Sequence, residues 1–456
     1  MFALVDCDHF FASCERVFRP DLWRSPVVVL SNNDGCVIAR SPEVKAIGIK
    51  MGEPLFQCES TLRAHGVAVF SSNFSLYADL SRRVIETIRG FIESSGRPRV
   101  EVYSIDEAFI DLSDLAVVDL ESLAHELRFE IYRRSGIPVS IGIGSSKSLA
   151  KVATYYAKRS SERVRLIRDD RDRLYALRNL PIDELWGVGR QWAERLRRIG
   201  IERASDLALA TPERIRLAAR HIYLLRLSRE LRGERCIPLE TSPPPRLSVR
   251  YSRTFARAIS DDRAIRDAVC AFAAQLGRRL RSHNRRAGSL SLSLSALDPS
   301  SRSSSSYAQR RYHISVSGGL PTYTHDSPSL IKRALELYQS LSERAEREAP
   351  RSLGRPIRWR KAGLLALDLR DESQLELSIV RPDERRLALS TLEDELNRRF
   401  GRGIACIGSL PIKPHTSAHQ NRQSSSLSDR GWRPIQSALS PRYTTSWADL
   451  PVVSAL

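Results

Sequence analysis

The stretch from Val100 to Leu112, VEVYSIDEAFIDL, constrains this chain more than any other. Apolar, strand-forming residues (Val100, Val102, Ile105, Phe109, Ile110, Leu112) flank two adjacent acids, Asp106 and Glu107. The pattern predicts a β-hairpin with the carboxylates at its crest. Strand side chains alternate faces, so the apolar flanks bury one face and leave the acids at the rim. Two crowded carboxylates repel, and such a pair persists cheaply only where water or a cation screens it. In isolation an Asp-Glu pair is usually a solvated turn. A second acidic cluster changes that balance.

The second cluster is at the start of the chain, FALVDCDHFFASCE. Phe2 to Val5 predict a short buried strand that ends on Asp6-Cys7-Asp8, and Phe10 to Val17 predict a helix. Asp6 at a strand end and Asp106-Glu107 at a hairpin crest can converge. Three carboxylates around one point suit hard divalent cations, which take oxygen ligands. Two such ions about 3.5–4 Å apart activate an attacking oxygen and stabilise a leaving one.

The partner is constrained by charge. The 456 residues carry a formal net charge of +19, which favours a polyanion such as nucleic acid. No segment approaches the ~20 apolar residues of a spanning helix, so a membrane is disfavoured. The N-terminus lacks the basic start of a signal peptide. Seven cysteines without a CxxC pair read as reduced thiols of a cytoplasmic protein. Nine scattered histidines give no zinc pattern.

The chain length allows roughly three domains of ~150 residues. Strand PVVVL (26–30), a helix near 76–94, the acidic hairpin, a helix near 120–134, strand VSIGIG (139–144), a helix near 148–158 and strand VRLI (164–167) follow the first strand and helix. This βαββαβ order predicts a ferredoxin-like sheet. Residues 171–236 are helical and Arg-rich without a lysine. Within them Leu180 to Ile201 predict a helix, a Gly187-Val188-Gly189 turn and a second helix. The turn's amides could approach a phosphate at the second helix's N-terminus, although an ordinary Gly-capped helix pair is the commoner case. Pro243-Pro244-Pro245 predicts a linker. Beyond it, strands at 248–256, 289–297 (SLSLSLSAL), 311–316 and 362–369 alternate with helices at 261–282 and 327–344. That is a second βαββαβ unit. Arg250, Arg253 and Arg257 along its first strand suit phosphate contact or a solvated edge. Pro299 to Tyr307 predicts a flexible loop.

Four motifs now carry a resemblance: FALVDCDHFFASCE, SNNDGCVIARS (31–41), YSIDEAF (103–109) and IGIGSSKSLAK (141–151). Together with the terminal LSPRYTT (439–445), they resemble the Y-family translesion DNA polymerases over nearly the whole chain. The resemblance implies an α+β, multidomain right hand. Its parts would be a ferredoxin-like catalytic palm (1–25 and 71–170), small fingers (26–70), a helical thumb with a helix-hairpin-helix (171–242) and a βαββαβ little finger (247–370). A C-terminal extension (371–410) and a polar, Ser-rich tail (411–456), expected to be disordered, would follow.

The same resemblance implies a DNA-directed DNA polymerase of the SOS response that extends primers opposite damaged DNA. Asp6, Asp106 and Glu107 would be catalytic and, with the Cys7 carbonyl, would hold two Mg²⁺, Mn²⁺ being a substitute. Asp8 ranks second, since relatives carry a neutral residue there. Phe11 would be the steric gate against the 2′-hydroxyl. Ala39, Arg40, Lys45 and Lys158 would contact the nucleotide, and Lys151, Gly187, Gly189, Arg250 and Arg253 the DNA. Pro42 departs from relatives that keep a Tyr. Gln374, Leu375 and Leu377 resemble a sliding-clamp motif, with Ser378 in place of its final aromatic. Implied partners are primer-template DNA, a dNTP, a processed UmuD dimer, RecA (through the terminal tail) and the sliding clamp. Implied localisation is cytoplasmic, at the nucleoid when active. The alternative is a non-catalytic DNA-binding accessory protein, which is expected to lose metal acids that this chain keeps. A two-metal nuclease or cyclase on the same palm leaves the other regions unexplained.

Overall fold

A computed structural model describes residues 1–92, 99–113, 119–218, 221–242, 245–297, 311–374, 383–400, 405 and 435–450. The chain forms two compact units, Met1–Pro243 with Gln436–Leu456, and Pro244–Ile435.

The first unit begins with β1 (Phe2–Cys7) and α1 (Phe10–Val17). A small sheet follows: β2 (Val27–Leu30), β3 (Val37–Arg40), helices α2 (Pro42–Ala46) and α3 (Leu55–Ala64), and β4 (Ala68–Ser71), in the order β3-β2-β4. The chain returns through α4 (Phe74–Ile92) to β5 (Val100–Val102), β6 (Glu107–Asp111), α5 (Leu120–Ser135), β7 (Val139–Gly144), α6 (Lys147–Ala157) and β8 (Val164–Leu166). The main sheet runs β5-β6-β1-β7-β8. Its first four strands have the ferredoxin-like order expected from the sequence, and β8 adds a parallel edge beside β7.

Every residue of β1 and β7 is buried because helices cover both faces of this sheet. Ala3, Val5 and Cys7 face a core with α4 and α5, while Phe2 and Leu4 pack with Phe109 and Ala150 of α6 on the other side. Gly142 and Gly144 let α6 lie close: a Cβ on Gly142 would stand 2.1 Å from the backbone nitrogen of Thr154. Helices α7 (Asp170–Asn179), α8 (Arg190–Arg198), α9 (Ala204–Leu209), α10 (Pro212–Ala218) and α11 (Ile222–Leu231) form a separate core. Here the expected helix pair is corrected. Only a short 3₁₀ turn, Ile182–Glu184, precedes the Gly turn. Pro181 has no N–H to continue α7, and Ile182 bonds across to the Glu202 carbonyl instead, at 2.9 Å.

The second unit is β9 (Val249–Ile259), α12 (Asp262–Ser282), β10 (Arg285–Leu297), β11 (Arg311–Thr324), α13 (Ser327–Glu348) and β12 (Trp359–Asp371), then α14 (Glu384–Phe400). Its antiparallel sheet runs β11-β10-β12-β9. Leu290, Leu292, Leu294 and Ala296 of β10 are buried under α12 and α13, and Ser289, Ser291, Ser293 and Ser295 alternate with them, half-buried. Asp394 of α14 binds Arg278 and Arg281 of α12 at 3.0 and 2.6 Å.

Pro299 to Tyr307, Leu375 and Leu377 lie outside the described residues, as do 411–434. Residues 436–450 differ from the disordered tail expected: they pack on the first unit. Ser71 N–H donates to the Ala438 carbonyl at 2.9 Å, and the ring of Tyr443 stacks on Phe18 at 4.5 Å. The physical reason is that this segment carries hydrogen-bonding groups and an aromatic at the end of a run whose average composition is polar. Among the described residues no helix is long and apolar enough to cross a membrane.

Candidate active site

Strand register makes the site. β1 and β6 pair antiparallel with Asp6 opposite Glu107, and the Cys7 N–H donates to the Asp106 carbonyl at 2.8 Å. Two acids distant in sequence thus meet in a register fixed by packing, since a one-residue slip would exchange every β1 side chain between the two different cores. Asp6, Cys7, Phe11, Asp106 and Glu107 line one cavity of about 370 Å³. Ala39 and Arg40 of β3, Lys45 of α2 and Lys158 at the end of α6 line its other walls. Those nine residues are the predicted catalytic and nucleotide-contacting set.

α6 answers the acids with lysines. Lys158 Nζ is 2.7 Å from Asp6 Oδ1, Lys151 Nζ is 2.7 Å from Glu107 Oε1, and Lys147 Nζ is 2.6 Å from Glu101 Oε2. The last pair is buried, so Lys147 is structural rather than part of a free cationic face. Burial, with Glu107 close by, pushes Asp6 up to about 7 against the pull of Lys158. Burial also raises Glu107, but the Asp6 hydrogen bond and Lys151 outweigh it, and its carboxyl is held below the usual range. The two neighbouring carboxyls are thus driven apart in acidity, Asp6 upward and Glu107 downward. Burial pushes the Cys7 thiol well up, so the hard donor this residue offers is its backbone oxygen.

Asp6 and Glu107 face each other across the strand pair at one cavity, and their donors are hard oxygens of the kind a divalent cation takes. The set fits a divalent ion in chemistry. It is not a finished cage. The Ser104 hydroxyl donates to Asp106 Oδ1, and among the described residues no three His, Cys, Asp or Glu side chains form a metal cluster. Asp8 turns away, accepting from the Ser140 hydroxyl at 2.8 Å.

None of the other predicted residues is among those that line this cavity. Lys151 borders a neighbouring hollow with Tyr155 and Trp186. Gly187 has φ +80, and a Cβ there would stand 1.9 Å from the Tyr223 hydroxyl oxygen, so packing alone requires glycine. Gly189 caps α8 with open space at its Cβ. In the second unit, Arg250 is exposed and the Arg253 guanidinium lies over the Tyr251 ring at 4.8 Å. Gln374 N–H donates to the Asp371 carbonyl at 3.2 Å.

Sequence reasoning missed His9 and Met51, which also line the cavity. His9 holds a left-handed backbone, φ 49, at the N-cap of α1, and burial lowers its pKa. It also missed Glu15 and Tyr77. Glu15 is fully buried on α1, one turn after Phe11, and accepts from the Tyr77 hydroxyl at 2.6 Å. A lone Glu at i+4 from an inward aromatic was the available signal.

Comparison with known proteins agrees with this geometry. Models of the impB/mucB/samB family and of its C-terminal domain match residues 5–155 and 246–379, and a domain of unknown function matches 388–453. The chain is 35% identical to Protein UmuC of Salmonella typhimurium over 459 residues, 99% of each chain. It is 33% identical to Protein MucB of Escherichia coli, over 100% of each. Among solved structures, the Y-family DNA polymerase chimera Dbh-Dpo4(243-245)-Dbh superposes with TM-score 0.62 at 20% identity, over 81% of this chain and 100% of that one. The insertion ternary complex of Dbh DNA polymerase gives 0.51, at 20% identity over 80% and 98%. These likenesses and the acid-lined register of its ferredoxin-like sheet make the chain a member of the impB/mucB/samB family, a UmuC-like Y-family DNA polymerase.

Proposed function

We propose that the cavity at the end of β1 and β6 adds deoxynucleotides to a primer 3′-hydroxyl, opposite damaged as well as intact template. The observation that carries this is the Asp6–Glu107 pairing beside Arg40, Lys45 and Lys158 in one cavity. A dNTP brings a polyanion, and three cations facing two acids form a bipolar pocket that can hold a triphosphate and its ions together. Asp6, Glu107 and the Cys7 carbonyl would hold Mg²⁺, joined by Asp106 once it leaves Ser104. When bound, such ions lower the charge on the transferring phosphate and favour the attacking 3′-oxygen. The chain's own work is placement. Arg40, Lys45 and Lys158 orient the triphosphate, and Phe11 fills the space under the sugar where a 2′-hydroxyl would lie.

The second unit would hold the duplex without reading sequence, through Arg250, Arg253 and the serine face of its sheet. Lys151 and the Gly187–Gly189 turn would contact the DNA backbone. The boundaries palm 1–25 and 71–170, fingers 26–70, thumb 171–242 and little finger 247–370 belong to this proposal. So do the processed UmuD dimer, RecA and the sliding clamp as partners, and action at the nucleoid.

The test is primer extension across an abasic site, with and without those partners. Wild type should extend, and Asp106→Ala should not. Equal extension by both removes Asp106 from catalysis. Absence of extension by wild type in every condition favours a DNA-binding accessory protein. Phe11→Ala should admit ribonucleotides; unchanged sugar selection removes Phe11 from the nucleotide site.

A further inference from the structure

Residues 436–443 form a strap across polar groups that are buried beneath it. Ser71, Asn73, Asp34 and Glu15 are all buried, and each takes a partner from the strap. The Asn73 side-chain amide donates to the Ser440 carbonyl, the Ser440 hydroxyl and the Pro441 carbonyl at 3.2, 3.0 and 3.1 Å. Ser437 donates through its N–H and hydroxyl to Asp34 Oδ2 at 2.7 and 2.8 Å. The Ser440 hydroxyl donates to Glu15 Oε1 at 3.1 Å. A buried polar group is costly unless hydrogen-bonded, so this surface is built to be covered.

The contact does not stop at Glu15. The oxygen that accepts from Ser440 also accepts from the Tyr77 hydroxyl at 2.6 Å. The Tyr77 ring stacks on Phe11, with centroids 4.6 Å apart and planes 16° from parallel. Phe74 packs edge-on against both rings, 5.9 Å from Phe11 and 6.1 Å from Tyr77. One face of Phe11 therefore rests on a ring whose hydroxyl end is pinned by Glu15, and Glu15 is pinned by the strap. An aromatic ring discriminates a single hydroxyl only if it is held to a fraction of an ångström.

We propose that the strap is a positioning element for sugar selection: Ser440, through Glu15 and Tyr77, sets the height of the Phe11 ring under the incoming nucleotide. The inference rests on the reading of Phe11 as the residue beneath the sugar. It gives the end of the domain of unknown function a part in the catalytic unit, contributed from the far end of the chain. Ser440, Glu15 and Tyr77 are positioning residues, since none of them lines the nucleotide cavity.

The experiment measures kcat/KM for dNTP and for the matching rNTP, with the full-length chain under conditions that support extension. Ser440→Ala should lower the dNTP-to-rNTP ratio about five- to tenfold, the scale of one lost hydrogen bond, through gain of rNTP use and with dNTP addition unchanged. Tyr77→Phe, which keeps the ring and removes the hydroxyl, should lower the ratio similarly. The double variant should be no worse than either single, because both cut one path. Ser440→Thr should restore the wild-type ratio, which a general loss of packing would not allow. Phe11→Ala separates the two layers. If it leaves selection unchanged, the Phe11 reading fails and this inference with it. If Phe11→Ala collapses selection while Ser440→Ala and Tyr77→Phe keep the wild-type ratio, the strap inference alone is overturned.

Discussion

The two sheets of this protein are built from similar βαββαβ strings and differ in how many faces are covered. The sheet of the first unit has helices on both sides, so β1 and β7 are buried throughout. The sheet of the second unit has α12 and α13 on one side, and its other face presents Ser289, Ser291, Ser293 and Ser295. Burial on both faces leaves an acid at a strand end poorly solvated, and it pushes the Asp6 carboxyl up to about 7. A one-sided sheet leaves a smooth, hydrogen-bonding surface instead. On the proposed function, chemistry belongs to the first arrangement and adhesion to a long polyanion to the second.

The largest expected effect separates those two jobs. Glu107→Ala should reduce the extension rate by 10²-fold or more, since several kcal/mol of charge stabilisation at the reacting phosphate would be lost. Binding of primer-template, measured by fluorescence anisotropy, should stay within a few-fold of wild type. If binding falls in parallel with extension, the division between the units is wrong. Gly142→Ala comes next. Its new methyl would meet the α6 backbone, so a loss of about 3 kcal/mol or more is expected in denaturant unfolding.

A pH effect of similar size follows from Glu15. Burial raises it to about 7, although Tyr77 and Ser440 favour its ionised form. The folded state then binds a proton more tightly than the unfolded chain. Stability is greatest below the unfolded value near 4.5 and falls as pH rises to about 7. The loss attributable to Glu15 is at most about 3 kcal/mol. Asp6 has the same sign, so wild-type melting temperature should fall between pH 5 and 7, and Glu15→Gln should remove part of that slope. An unaltered slope in Glu15→Gln would place the sensitivity elsewhere.

The same contrast explains what could be read from residues alone. FALVDC and VSIGIG are continuous apolar runs, whereas SLSLSLSAL alternates, so covered and open strands were distinguishable before any fold was known. The acid pair was legible because hairpin and strand end are local features, and register followed from burying both. The destinations of the lysines were not. Lys147, Lys151 and Lys158 share a helix, but which acid each meets depends on how α6 lies on the sheet, and that is set by Gly142 and Gly144. The strap was illegible for a similar reason. Its partners Glu15, Asp34 and Asn73 are some four hundred positions away, and the low hydrophobicity around it argued for disorder.

Smaller effects test the open face. Arg250→Ala with Arg253→Ala should weaken DNA binding about tenfold at low salt and reduce the slope of log affinity against log salt by about two, because each arginine would neutralise one phosphate. Extension at saturating DNA should be unaffected. The smallest expected change is the most discriminating about architecture. Gly319→Ala in β11 adds the same methyl as Gly142→Ala, but its nearest neighbour would be the Gly288 carbonyl oxygen at 3.9 Å, an ordinary contact. The unfolded chain loses freedom and the folded strand loses nothing, so stability should stay within about 0.5 kcal/mol of wild type or rise slightly. A penalty near that of Gly142→Ala would mean that something covers this end of the second sheet after all. The serine face could not then be a free surface for DNA.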